Sequence, residues 1–225
     1  MQGNDHRKMI NDCSMTADNA VSLVNKNGEY DLMPAGQAMN IDLLTLPEVR
    51  EIYRKRMKND FPGNELKSLA IIEKVFRDGR YLCYGAREGA DILAYAFFVL
   101  AEGLYLLDYF AVKKELRGSG IGSGFLKELN SRCLRDAACV LVEVDDPFFA
   151  GNDQEKEIRK RRLAFYLGNG LLDTGARART FGADFLILEF PKGKSHSRAE
   201  AGELYSRIYR SLLPKRIYEQ TVEIS

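Results

Sequence analysis

Residues 117 to 124 read Arg-Gly-Ser-Gly-Ile-Gly-Ser-Gly, with glycine at every second position from Gly118. Small residues let a backbone come close to a phosphate, and a helix that starts behind them offers its unpaired N–H groups and the positive end of its dipole. Two well-defined phosphate loops fail against this stretch. The dinucleotide pattern Gly-x-Gly-x-x-Gly needs glycine where Ser123 stands if it starts at Gly118, and at Phe125 if it starts at Gly120. The nucleoside-triphosphate loop fails because no Gly-Lys-Ser/Thr follows. What remains is Arg-Gly-x-Gly-x-Gly between a strand-like run and a helical one. Taken alone it also fits an ordinary glycine-rich turn before a helix.

Two carboxylates stand out. Glu143 is the single charge in the apolar run Ala138 to Val144, and a carboxylate there is costly unless it is paired or faces water. Asp108 shares its strand parity with Phe110 and Val112. Either one suits proton transfer, a cationic ligand or a structural pair with arginine. The run Lys156-Glu157-Ile158-Arg159-Lys160-Arg161-Arg162 could meet a phosphate or an acidic substrate, although such a run more commonly forms a solvated helix face. Asp145, Asp146 and Asp153 follow the Glu143 run and hint at a cationic partner, as solvated loop acids also would.

The elements that must hold these groups are legible in the apolar periodicity. Val49, Ile52, Tyr53 and Met57 recur at helical spacing after Pro47, and Leu66, Leu69, Ile72, Val75 and Phe76 give a second helix stopped at Asp78-Gly79. Runs over 81–86, 92–100 and 104–112, separated by short polar turns, predict an antiparallel meander. A helix over 121–135 follows the glycines, with Phe125, Leu126, Leu129, Cys133 and Leu134 inward. The strand 139–144 comes next and should lie parallel to 104–112, since a helix connects them. Then come a charged helix over 154–167, capped at Gly168-Asn169-Gly170, and strands at 171–172 and 185–190. A last helix carries Leu204, Ile208, Tyr209, Leu212 and Leu213, with Pro214 as its stop. The stretches 58–68, 145–155 and 173–184 read as loops.

Composition narrows the class. The 225 residues carry a formal net charge of +1, are 45% apolar and are 29% charged, which fits one globular core with terminal extensions and gives no reason to expect nucleic-acid binding. No apolar run approaches the ~18 residues of a membrane span, and MQGNDHRKMINDCS lacks the apolar stretch of a secretory leader. Cys13, Cys83, Cys133 and Cys139 form no Cys-x-x-Cys pair, and His6 and His196 lie in polar segments. Reduced thiols, a cytoplasmic location and no metal site are therefore expected.

The region 45–190 resembles the GNAT (GCN5-related N-acetyltransferase) superfamily. Arg117, Gly120 and Gly122 fit its Arg/Gln-x-x-Gly-x-Gly/Ala hallmark in order, Leu107 to Val112 looks like the strand before it, and Phe165-Tyr166-Leu167-Gly168-Asn169-Gly170-Leu171 resembles its Phe-Tyr-x-x-x-Gly-Phe segment, with Leu171 in place of the final phenylalanine. The resemblance implies an α/β (α+β) GNAT fold: a mixed central sheet, mostly antiparallel, with a parallel and splayed pair made by the family's fourth and fifth strands, flanked by helices. Residues 1–40 would be an N-terminal extension or first strand, 41–190 the acyltransferase domain and 191–225 a C-terminal helical extension.

By the same resemblance, acetyl-CoA is the cosubstrate. Its pyrophosphate would lie on Arg117, Gly118, Ser119, Gly120, Ile121, Gly122 and Ser123, and its pantetheine arm along Phe110, Ala111 and Val112. Arg159 stands where many members carry a cofactor-touching asparagine. Tyr166 would protonate the leaving thiolate, and Glu143, or Asp108, would act as base through water. The implied activity is acetyl transfer to a primary amine of a small molecule or peptide. The alternative is a non-catalytic acyl-CoA-binding module of the same fold. The expected partners include neither nucleic acid nor membrane, and the C-terminal helix could either cover the sheet or join two copies of the chain.

Overall fold

Local chemistry sets most element boundaries. The computed structural model describes residues 40–225 apart from Asn64, preceded by two short antiparallel strands, β1 (Ser22–Val24) and β2 (Tyr30–Leu32). The rest of 1–39, with His6, Cys13 and most of the stretch read as an N-terminal arm or first strand, lies outside the described residues. β3 (Asn40–Leu43) is followed by α1 (Leu46–Ile52), where Pro47 sits in the first turn and Glu48 accepts the Thr45 N–H at 2.7 Å. α1 continues through a π turn, Tyr53–Met57, and a last turn, Lys58–Asp60. α2 (Leu69–Arg77) is shorter than its apolar spacing suggests, because Leu66 falls in the preceding loop.

β4 (Tyr81–Glu88), β5 (Asp91–Ala101) and β6 (Leu104–Val112) are the three predicted runs. Two-residue turns join them. Gly89 has φ 58°, and Glu102 and Gly103 have φ 53° and 78°, the left-handed values that tight hairpins demand. α3 (Ile121–Glu128) ends in a π turn, Leu129–Cys133, within the helix predicted over 121–135. β7 (Cys139–Asp145), α4 (Asp153–Gly168), β8 (Leu172–Thr180), β9 (Ala183–Glu189), α5 (Arg198–Leu212), α6 (Lys215–Thr221) and β10 (Val222–Ile224) complete the chain. Eight strands hydrogen-bond in the order β10-β8-β9-β7-β6-β5-β4-β3. The β6–β7 pair is parallel, and the pairs β3–β4, β7–β9, β8–β9 and β10–β8 are antiparallel, which is the mixed, mostly antiparallel sheet expected.

Contacts group the chain into two units. Of the described residues, the first comprises those up to Phe98 and 109–134, and the second 99–108 and 135–225. In the first, the buried side chains include Val49, Ile52, Met57 and Ile72, the aromatic Tyr84, Phe97 and Phe98 of β4 and β5, and Phe125 and Leu129 of the α3 segment. In the second, Val140, Val142, Ile187 and Leu188 form the centre, and α5 adds Tyr205 and Ile208.

Three expectations need correction. The stretch 173–184 is no loop: it is most of β8 and the turn into β9. Its buried Ala176, Ala178 and Thr180 alternate with more exposed Arg177 and Arg179, a period-two pattern hidden by low hydrophobicity. The last helix buries Ala201, Tyr205, Ile208 and Tyr209, while Leu204, Leu212 and Leu213 are only half-buried, so its inward face is rotated from the predicted stripe. The chain after Pro214 forms α6 and then the edge strand β10. Gly202 permits the close approach of α5 to β10, since a Cβ there would lie 2.9 Å from Ile224 Cγ2. The third concerns thiols. Cys83 and Cys139 are buried and free, but Cys133 is disulfide-bonded, because sequence spacing does not reveal which thiols meet in a fold.

Candidate active site

In the first unit the glycines shape the turn that leads into α3. Gly118 and Gly120 have φ 81° and 87°, conformations that other L-residues adopt only with strain. Gly120 is the N-cap of α3, and the first helical N–H to reach back is that of Gly124, bonded to Gly120 O at 3.0 Å. The amides of Ile121, Gly122 and Ser123 therefore belong to the open first turn, where a helix has no internal acceptors for them. Space beside the turn is open: a Cβ on Gly118 would meet nothing within 4 Å. Ser119 turns its hydroxyl back onto Leu116 O at 2.6 Å, which tightens the approach to the helix.

Arg117 holds this turn in place. Its Nε donates to Val112 O at 3.1 Å and its Nη2 to Asp60 Oδ1 at 2.6 Å. The Asp60 side chain is 9% exposed and also accepts the Tyr95 hydroxyl at 2.8 Å, so the loop is tied to the end of the α1 segment through one carboxylate. Burial, followed by the Asp60 charge, pushes the Tyr95 phenol far up, which keeps it a neutral donor. Along β6, Phe110 and Val112 are half-buried while Ala111 is buried, and the Phe110 ring stacks on Phe125 at 5.7 Å. Tyr109 points to the other face, where its hydroxyl accepts the Lys67 N–H at 2.9 Å and donates to Glu65 O at 3.1 Å, pinning part of the 58–68 loop.

The second unit holds the proposed proton carriers. The parallel register of β6 and β7 runs from Leu104↔Cys139 to Leu107↔Val142, so Asp108 and Glu143 are the first residues past it. Glu143 Oε1 accepts a very short hydrogen bond from the Tyr205 hydroxyl and a second from Tyr209 at 2.6 Å. Thr180 Oγ1 shares a hydrogen bond with the Tyr205 hydroxyl at 2.7 Å. Burial and then the Glu143 charge drive both phenols well above their usual range, so they stay protonated and donate. Two phenols thus converge on one oxygen of the Glu143 carboxylate. The sequence contained Tyr205 and Tyr209, four residues apart on one helical face, but nothing in it connected them to Glu143 62 and 66 residues upstream.

Tyr166 lies near the end of α4, buried, beside Phe165 at 5.3 Å between ring centres. Burial raises its phenol beyond the ordinary tyrosine range, the nearby Arg162 lowers it, and Asp145 raises it again. The basic run on α4 divides. Arg162 pairs with buried Asp145, and Arg159 donates to Asp146 O at 2.9 Å and pairs with Glu155, while Lys156, Lys160 and Arg161 are exposed. Asp146 caps the turn at Phe148 N with a 2.8 Å bond. Asp145 and Asp146 are thus occupied in local structure, and only Asp153 of the three acids stands exposed on a helix start. Among the described residues, no helix is long and apolar enough to cross a membrane.

No protein-family model matches the chain, and no curated protein does. Solved structures do. One is a Bacteroides thetaiotaomicron protein assigned to the GNAT family as an acetyltransferase, superposing with a TM-score of 0.56 at 18% identity over 77% of this chain and 96% of that one. A second, also assigned to that family, is from Desulfovibrio desulfuricans, with a TM-score of 0.50 at 21% identity over 69% of this chain and 100% of the other. Identity this low speaks to architecture. With its parallel β6–β7 pair inside a mostly antiparallel sheet and a glycine turn between β6 and α3, this chain has the fold of the GNAT acetyltransferases.

Proposed function

We propose that this chain transfers an acetyl group from acetyl-CoA to a primary amine by direct attack. The observation that carries the reading is the glycine turn at the start of α3. Two left-handed glycines, anchored by Arg117 on Asp60, leave first-turn amides without helical acceptors, which is the chemistry a diphosphate needs. In this reading the pyrophosphate of the cosubstrate lies on residues 117–123, and the pantetheine arm bonds the main chain of Phe110 to Val112.

The amine nitrogen attacks the thioester carbonyl, a C–N bond forms and the C–S bond breaks. The thiolate takes a proton from the Tyr166 phenol, and the phenolate recovers one from the nitrogen, which sheds its second proton as the amide forms. Burial raises the proton affinity of Tyr166, which keeps the phenol neutral at the outset and makes it a weaker acid than a free tyrosine, so it serves as a hydrogen-bond donor to sulfur until the C–S bond breaks. The proton lost by the attacking ammonium passes through water to Glu143 or Asp108. Tyr205 and Tyr209 already engage one oxygen of Glu143, and that engagement is also what a structural carboxylate would show, so it favours the second reading, an acyl-CoA-binding module without turnover.

Titration calorimetry with acetyl-CoA, ATP and NAD tests the first claim, and tighter binding of either nucleotide overturns it. A panel of small amines and peptide N-termini, with free thiol as readout, separates enzyme from binding module: a protein that binds acetyl-CoA yet releases no coenzyme A thiol above the buffer rate is the module.

A further inference from the structure

Residues 50 and 57 positions apart in sequence from Cys139 meet it in the second unit. Cys139 starts β7, Glu189 ends β9, and His196 stands one residue before Ser197, the N-cap of α5. The register Leu141↔Glu189 puts Cys139 two residues along β7 from the partner of Glu189, on the same face of the sheet. One donor atom of each side chain, the thiol sulfur, a carboxylate oxygen and an imidazole nitrogen, lies within 4.8 Å of the other two. We propose that Cys139, Glu189 and His196 bind a divalent cation of the zinc type.

The donor set selects the ion class. Sulfur and imidazole nitrogen favour zinc-like cations over magnesium or calcium, which take oxygen ligands. Zinc bonds of about 2.0–2.3 Å in a tetrahedron place donors roughly 3.3–3.7 Å apart, so the widest separation in the cluster must close by about 1.5 Å at most and the 2.8 Å contact between Glu189 and His196 must open by roughly half an ångström, both within reach of side-chain rotation. The Glu189 side chain is only 2% exposed, and both its oxygens turn to His196: Oε1 accepts the backbone N–H at 2.9 Å and Oε2 meets Nδ1 at 2.8 Å. A carboxylate this deeply buried calls for a compensating positive charge. Cys139 is a buried free thiol, and on ligation it gives up its proton to solvent. The His196 side chain is 19% exposed, which opens one side of the cluster for entry of the ion and for water as fourth ligand. Ligation ties two adjacent strands to the start of the helix that carries Tyr205 and Tyr209. The role is one of scaffolding, and it does not depend on acetyl transfer.

The test uses the full, tag-free chain stripped with a chelator and kept under mild reductant. Cobalt(II) titration should give one ion per chain and a thiolate-to-cobalt charge-transfer band in the near ultraviolet. Zinc should then displace the cobalt, and zinc should raise the melting temperature. Cys139→Ser should abolish the band, and His196→Gln, at a less buried position, should weaken zinc binding more than about tenfold. The absence of a charge-transfer band in the wild-type chain overturns the proposal whatever the variants do. So does zinc binding that survives both substitutions unchanged, which would assign the ion to other residues.

Discussion

Gly120→Ala tests the phosphate-binding turn. Gly120 has φ 87° and is the N-cap of α3. A side chain in the left-handed region costs about 1–2 kcal/mol, and the narrower unfolded ensemble of alanine returns about 0.4–1 kcal/mol of that. The net loss of about 1 kcal/mol lowers Tm by roughly 2–4 °C for a chain of this length. Relaxation of the turn should also misdirect at least one amide. A hydrogen bond to a charged group contributes about 1.5–3 kcal/mol, so the Kd for coenzyme A should rise about 10- to 150-fold. The control is Gly89→Ala, at φ 58° in the β4–β5 hairpin with nothing within 4 Å of its would-be Cβ. It should lower Tm comparably and leave the Kd unchanged. Calorimetric titration with coenzyme A and thermal melts read both quantities. If Gly120→Ala lowers Tm and binds coenzyme A as tightly as the parent, the turn does not hold the diphosphate and the reasoning fails.

Tyr166→Phe should keep the Kd for acetyl-CoA and lower kcat by about 10²-fold or more, as loss of a general acid does; an unchanged kcat in the thiol-release assay removes Tyr166 from the chemistry. Asp60→Asn takes away the carboxylate under Arg117, and because that arginine is half exposed the Kd for coenzyme A should rise only up to about fivefold; equal affinity in both proteins would mean that the ion pair does not shape the turn. The Glu200 carboxyl is held down to about 2 by the Ser197 amide and hydroxyl and then by Lys194. Its folded pKa lies below its unfolded one, so its contribution is present above about pH 4.5 and is lost as pH falls toward 2. Wild-type Tm should therefore fall more across that window than the Tm of Glu200→Gln, and parallel curves from thermal melts would refute the assignment.

The sequence by itself determined the elements whose cause is local. Apolar runs between tight turns fixed β4, β5 and β6, the crossover helix made β7 parallel to β6, and Arg117-Gly-x-Gly-x-Gly placed a glycine turn at a helix start. It exposed only the start of β8, at Leu172, because the rest of a strand whose inward positions are Ala176, Ala178 and Thr180 has period two without a hydrophobic signal. Contacts distant in the chain were decided only by the tertiary structure. Glu143 stood out as a lone charge, but its partners Tyr205 and Tyr209 come from a helix whose inward face depends on how it docks. Cys139, Glu189 and His196 carry no motif spacing, since strand register and the entry to α5 bring them together after folding. Periodicity and turn chemistry are written in neighbouring residues, whereas the meeting of side chains across a sheet depends on register and packing that no single segment specifies.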